Sequence, residues 1–123
     1  MPLATSIDEF PDAWVLCAQG DLDYSECVTF RIDIDRILRA APPAVIVDFS
    51  HIEFLDSSGL GLLLSLSREY AETGGRLVLI SSETVESVLD MTRLKGVFTI
   101  EADAISALEH LRNTEPPKVG GSG

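Results

Sequence analysis

The run from Val45 to Leu64 (V-I-V-D-F-S-H-I-E-F-L-D-S-S-G-L-G-L-L-L) constrains the fold more than any other part of the chain. With Ala44 before it, it opens as an apolar stretch to Phe49, interrupted only by Asp48, that suits a central strand covered on both faces. A short crossing follows, and a leucine-rich helix then begins at a cluster of small polar residues. A strand covered on both faces calls for helices packed against its sheet, so the rest of the chain is expected to supply them.

The helix starts at Asp56-Ser57-Ser58-Gly59. Short Asp and Ser oxygens cap the free N–H groups of a first helical turn, and capping is the plain reading of such a string. The corner nevertheless holds more than a cap requires. Two serines stand side by side behind an acid, and Gly59 and Gly61 each cost roughly 1 kcal/mol relative to alanine. A slim surface open to a partner accounts for the glycines. Phosphate chemistry suits the place, because a phosphorylated serine at a helix N-terminus meets free N–H groups and the positive end of the dipole, a contribution of roughly 0.3–1 kcal/mol.

With 123 residues and 46% hydrophobic content, the chain is expected to form one domain, residues 1–112, able to bury a core without metal or disulfide help. Nine Lys and Arg against 20 Asp and Glu give a net charge of -11, which argues against nucleic acid and points to a basic protein surface as partner. Cys17 and Cys27 have no C-x-x-C spacing and no cluster of histidines, so they read as small core residues in a reducing cytosol and not as zinc ligands or a disulfide. Acids and a proline interrupt the first twenty residues, and no window approaches a membrane span. The expectation is a soluble cytoplasmic protein with no membrane partner, no metal and no cofactor.

Taken in order, Leu3–Ile7 reads as a first strand and Asp8–Asp12 as a turn leading into Ala13–Gln19, an apolar strand that stops at Gly20. Gly20–Ser25 reads as a polar loop with Ser25 capping the helix after it. Over Glu26–Ala41 the apolar positions Cys27, Phe30, Ile34, Ile37 and Leu38 recur at helical spacing opposite Arg31, Asp33, Asp35 and Arg36. Pro42-Pro43 ends that helix. The helix from Ser57 to about Thr73 is apolar nearly all round, closes at Gly74-Gly75, and returns as a strand over Arg76–Ile80. A helix over Thr84–Leu94, with Val85, Val88, Leu89 and Met91 inward, leads to a short strand over Val97–Ile100. Asp103 caps a last helix, Ala104–Leu111, with Ile105, Leu108 and Leu111 inward. Residues 113–123 are expected to be a disordered tail. Strands alternating with helices after an opening hairpin give an α/β sandwich with a mixed, mostly parallel sheet.

Enzymatic readings fare poorly. His51, placed in a loop, and His110, on the last helix, are far from Ser57 in the chain, and Leu55 and Asp56 stand where a nucleophile elbow needs glycine. No catalytic residue is assigned. Asp48 lacks the earlier acidic pair of a phosphoryl-accepting receiver site, since Gln19-Gly20 occupies that place, and it reads as a structural capper at a strand end. Gly59 and Gly61 have no Lys and Ser/Thr in phosphate-loop order, and Trp14 is most simply core.

Together, Gly20-Asp21-Leu22-Asp23, Asp48, Phe54-Leu55-Asp56-Ser57-Ser58-Gly59-Leu60-Gly61, Gly74-Gly75 and Leu89-Asp90-Met91-Thr92-Arg93-Leu94 resemble a STAS domain over residues 3 to 112, and more narrowly the stand-alone bacterial anti-sigma factor antagonists. The resemblance implies a STAS-like sandwich and a switch. In that family the unmodified antagonist binds an anti-sigma factor that is also a serine kinase, phosphorylation of the serine after the Asp breaks the complex, and a serine phosphatase restores it. Carried onto this chain, Ser57 is the phosphoacceptor. Asp21, Leu22, Asp23, Tyr24, Asp56, Ser58, Gly59, Leu60 and Gly61 form the partner-binding surface. Asp21, where Glu is commoner, and Tyr24-Ser25-Glu26-Cys27 depart from the family pattern and bear on which partner is bound. The alternative within the resemblance is a non-phosphorylated STAS scaffold subunit docking on a transporter ATPase or a stress-signalling complex.

Overall fold

A computed structural model describes residues 1–113. One five-stranded sheet runs through it, with β1 (Ala4–Glu9), β2 (Trp14–Leu22), β3 (Ala44–Leu55), β4 (Arg76–Ile80) and β5 (Thr99–Glu101) side by side in chain order. The first pair is an antiparallel hairpin, and each later pair is parallel. Parallel neighbours need a crossover, and the helices provide it. These are α1 (Cys27–Ala40) after β2, α2 (Ser57–Glu72) after β3, α3 (Glu83–Met91) after β4 and α4 (Ala104–Asn113) after β5. The α/β sandwich with a mostly parallel sheet opened by a hairpin is therefore what forms.

Alternation along the central strands divides the core in two. Val45, Val47 and Phe49 face a large cluster with Phe30, Ile34 and Ile37 of α1, Leu60, Leu63 and Leu66 of α2, and Val85 and Leu89 of α3. Ile46, Val78 and Ile80 face the other way, onto Ala107 of α4. The small Ala107 makes the close contact, so Ile105 and Leu108, both expected inward, lie exposed on the flank while Leu111 stays half-buried. Met91, also expected inward, is exposed because α3 ends there, and Thr92–Leu94 turns away with Arg93 in the left-handed region. The strand expected at Val97–Ile100 starts two residues later, after a 3-10 turn over Lys95–Val97. Trp14 is half-buried against the large core, with the Arg36 guanidinium 5.5 Å from its ring centroid and that arginine ion-paired with Glu9.

The main departures from the sequence reading are at the ends of β2 and β3. Gly20, Asp21 and Leu22 are strand, not loop, and β3 carries on through Leu55 instead of stopping at Phe49. Gln19 to Leu22 pairs with His51 to Leu55, with register shifts after Cys17 and Gly20. Each extension gives the other its backbone partners, and the polar Ser50, His51 and Glu53 hid the strand from local pattern. His51 is thus on β3 and not in a loop, and Asp48 sits inside the strand, accepting from the Ser50 N–H at 2.9 Å. Cys17 and Cys27 are free and half-buried. The tail expectation lies outside the described residues except at Asn113, the last residue of α4. Among the described residues no helix is long and apolar enough to cross a membrane.

Candidate functional site

The extensions of β2 and β3 converge on the N-terminal tip of α2. Leu22 and Leu55, partners in the last rung, are both buried, and the Asp56 N–H reaches back to the Leu22 carbonyl at 3.3 Å. The chain then turns into α2 with Asp56 extended at the N-cap. Its Oδ1 accepts from the N–H groups of Ser58 (2.9 Å) and Gly59 (3.1 Å), and its Oδ2 accepts from the Tyr24 N–H at 3.0 Å. One carboxylate therefore fastens the turn after β2 to the first turn of α2. The cap is Asp56, which leaves both serines outside the capping work.

Ser57, the first helical residue, is exposed, and Ser58 is half-buried. Among the described residues neither hydroxyl has a hydrogen-bond partner, and neither histidine bonds them. His51 Nδ1 lies 3.1 Å from Ser50 Oγ, and His110 Nδ1 pairs with Glu101 at 3.3 Å. A serine nucleophile is activated by an adjacent base, and among the described residues no histidine stands in that position to Ser57 or Ser58. Burial pushes the Cys27 thiol up and the Asp56 and Asp23 charges add to that, which favours the protonated form.

Beside α2 the 3-10 turn Tyr24–Glu26 enters α1 under a second acidic cap. Asp23 Oδ1 accepts from Ser25 Oγ at 2.6 Å and from the Glu26 N–H at 3.2 Å, and the Ser25 hydrogen bond above all holds this carboxyl below its ordinary value. Ser25, expected as the cap, donates to the residue that caps. Asp21 Oδ2 meets the Met1 amine at 2.8 Å. The expected partner-binding residues thus sort by depth. Leu22, Gly59 and Leu60 are buried beneath the tip. Asp21, Asp23, Asp56 and Ser58 are half-buried, and Tyr24, Gly61 and Ser57, the expected phosphoacceptor, reach solvent.

The expectation that the glycines give an approachable surface holds for one of the two. A Cβ on Gly61 would meet nothing within 4 Å, whereas one on Gly59 would lie 2.5 Å from Leu22 Cγ and 2.7 Å from the Leu22 carbonyl oxygen. Gly59 is slim so that the helix can seat on β2. Sequence reasoning missed Val28, Ile32 and Phe54, all exposed. The first two fall off the apolar face of α1 at a spacing of four, which was the available signal.

A STAS domain model matches residues 4–107. An anti-sigma F factor antagonist of Lysinibacillus sphaericus is 30% identical over 95 residues, 76% of this chain and 80% of that protein. Among solved structures, the anti-sigma factor antagonist SpoIIAA in its unphosphorylated form superposes with a TM-score of 0.75 at 26% identity, covering 91% of this chain and 99% of that one. The phosphorylated form of the Bacillus cell fate determinant SpoIIAA gives 0.69 at 27%, covering 89% and 100%.

Proposed function

Because the chain belongs to the STAS domain family, we propose that it is an anti-sigma factor antagonist whose unphosphorylated form binds an anti-sigma factor serine kinase and frees a sigma factor. Phosphorylation of Ser57 ends the complex, and a serine phosphatase resets it. The observation that carries this reading is the exposed Ser57 hydroxyl at the first position of α2, next to an Asp56 whose two oxygens are already committed. In this role the chain is a cytoplasmic substrate and binding module, not an enzyme, and it works without a cofactor.

The capping pattern supports an electrostatic switch. Asp56 already occupies the N–H groups of Ser58 and Gly59, so a phosphate on Ser57 finds fewer helix-end donors than a bare N-terminus would offer. The phosphate adds about -1.5 to -2 charge beside the Asp56 carboxylate on a chain of net charge -11. Burying such a group in an interface without a partner costs several kcal/mol, and about 3 kcal/mol is already more than a hundredfold in affinity.

Intact mass and peptide mapping after incubation with ATP and each purified anti-sigma factor kinase of the source organism test the proposal. One phosphate is expected, on Ser57, absent from Ser57→Ala, with Ser57→Asp losing about a hundredfold or more in kinase affinity. Binding that survives Ser57→Asp unchanged, with no phosphate from any kinase, would refute it.

A further inference from the structure

An apolar stripe runs along α1 into the acceptor turn. Tyr24, Val28 and Ile32 are 79%, 75% and 64% exposed and stand four residues apart, on one side of the 3-10 turn and the helix that continues it. The groove they border, about 410 Å³, is closed on the α2 side by Leu62 and Ser58, the neighbour of the acceptor. Single exposed hydrophobes are ordinary on any surface. A stacked series is not, since β-branched residues at solvent positions add nothing to a helix that lysine or glutamate would serve better.

Charge says what covers the stripe. Asp35 lines the groove beside Arg31, and at its Tyr24 end stand Asp23, the preceding residue, and Asp56, whose Oδ2 accepts from the Tyr24 N–H, on a molecule of net charge -11. A second copy would bring these acids against their own kind. A surface with an apolar centre and a lysine or arginine rim complements them. We infer that Tyr24, Val28 and Ile32 form a docking stripe for the same kinase, which meets it with an apolar groove rimmed by basic residues and so presents Ser57 at the groove's end. The inference rests on the kinase-binding reading of Ser57 and adds where the partner's affinity comes from. Docking and phosphoacceptance are thereby divided between α1 and α2, and a phosphate at the end of the stripe brings charge to the margin of a dehydrated contact.

The test is the steady-state phosphorylation of the full chain by the kinase that labels Ser57, comparing wild type with Val28→Asp/Ile32→Asp. These side chains are exposed, and circular dichroism with an unchanged Tm checks that the fold is kept. The expected result is a KM raised tenfold or more with kcat held within twofold, and a wild-type KM that rises with sodium chloride while Asp35→Lys raises it at low salt. An unchanged KM in the double variant, with Ser57 still labelled, overturns the stripe and leaves the switch standing. Sedimentation showing a wild-type dimer that the double variant loses overturns it in favour of a second copy. No label on wild-type Ser57 from any kinase refutes the switch, and the stripe as a kinase dock falls with it.

Discussion

The two ends of α2 look alike in sequence and differ in what they do. Each has a pair of glycines, and in each pair a neighbour demands one while the other stands in open space. At the C-terminal end a Cβ on Gly75 would run into the Tyr70 ring, and Gly74 takes the left-handed φ of 82° that closes the helix with nothing near it. At the N-terminal end Leu22 and Leu55 crowd Gly59, and Gly61 is open. The chemistry left outside separates them. The C-terminal end closes over Tyr70, whose ring is buried and whose hydroxyl has no partner among the described residues. The N-terminal end is closed by the Asp56 carboxylate and leaves Ser57 exposed to solvent. A helix end can leave a hydroxyl free in solvent when another group does its capping, as Asp56 does here.

The sharpest way to break this comparison is to add a methyl group at each N-terminal glycine. Gly59→Ala drives a Cβ against a backbone oxygen and should cost about 2–3 kcal/mol, lowering Tm by on the order of 10 °C. Gly61→Ala should raise stability by about 0.5–1 kcal/mol. Equal losses in thermal melts of the two variants would show that the packing against Leu22 is not what selects glycine. Next in size, Asp56→Ala removes the cap of α2 and the tie to Tyr24 together and should lose about 1–2 kcal/mol by urea denaturation, with Asp56→Ser recovering the helix cap but not the tie. A full recovery by Ser would mean that the Tyr24 bond contributes nothing.

The C-terminal end yields the smallest effect, again a stabilising one as at Gly61. Tyr70→Phe deletes a buried hydroxyl that has no partner among the described residues and should stabilise by up to about 1 kcal/mol. Burial pushes the Tyr70 phenol from 10.0 up to about 12, so the unfolded chain releases this proton first and stability falls as pH rises above 10. The tyrosinate absorbance step missing from Tyr70→Phe should lie near pH 12, and the variant's stability should decline less between pH 10 and 12. A step at 10 would place the ring in contact with water.

Much of this was legible locally. Alternating strands and helices, the Pro42-Pro43 and Gly74-Gly75 stops and the start of α2 at Ser57 follow from periodicity, propensity and backbone conformation, which act over a few residues. The string Asp56-Ser57-Ser58-Gly59 was also conspicuous, because small polar residues before a leucine run are what a helix start is made from. The helix faces were harder. Which side of α4 packs inward depends on how closely Ala107 can approach Ile46, Val78 and Ile80 of the sheet, and no periodicity within α4 reports that distance.

What the sequence by itself determined is thus the order and kind of most elements and the place of Ser57 at the start of α2. Tertiary structure alone decided that Gly20–Leu22 and His51–Leu55 would be strand, because each supplies hydrogen-bond partners that the other lacks alone. It also decided the division of labour at the tip. Asp56 reaches the Tyr24 amide across a separation of 32 residues, and Gly59 is required by Leu22 at the end of β2. Contacts of that range exist only once the chain has brought its distant parts together, so they are set by the packed whole and leave no mark on the local pattern.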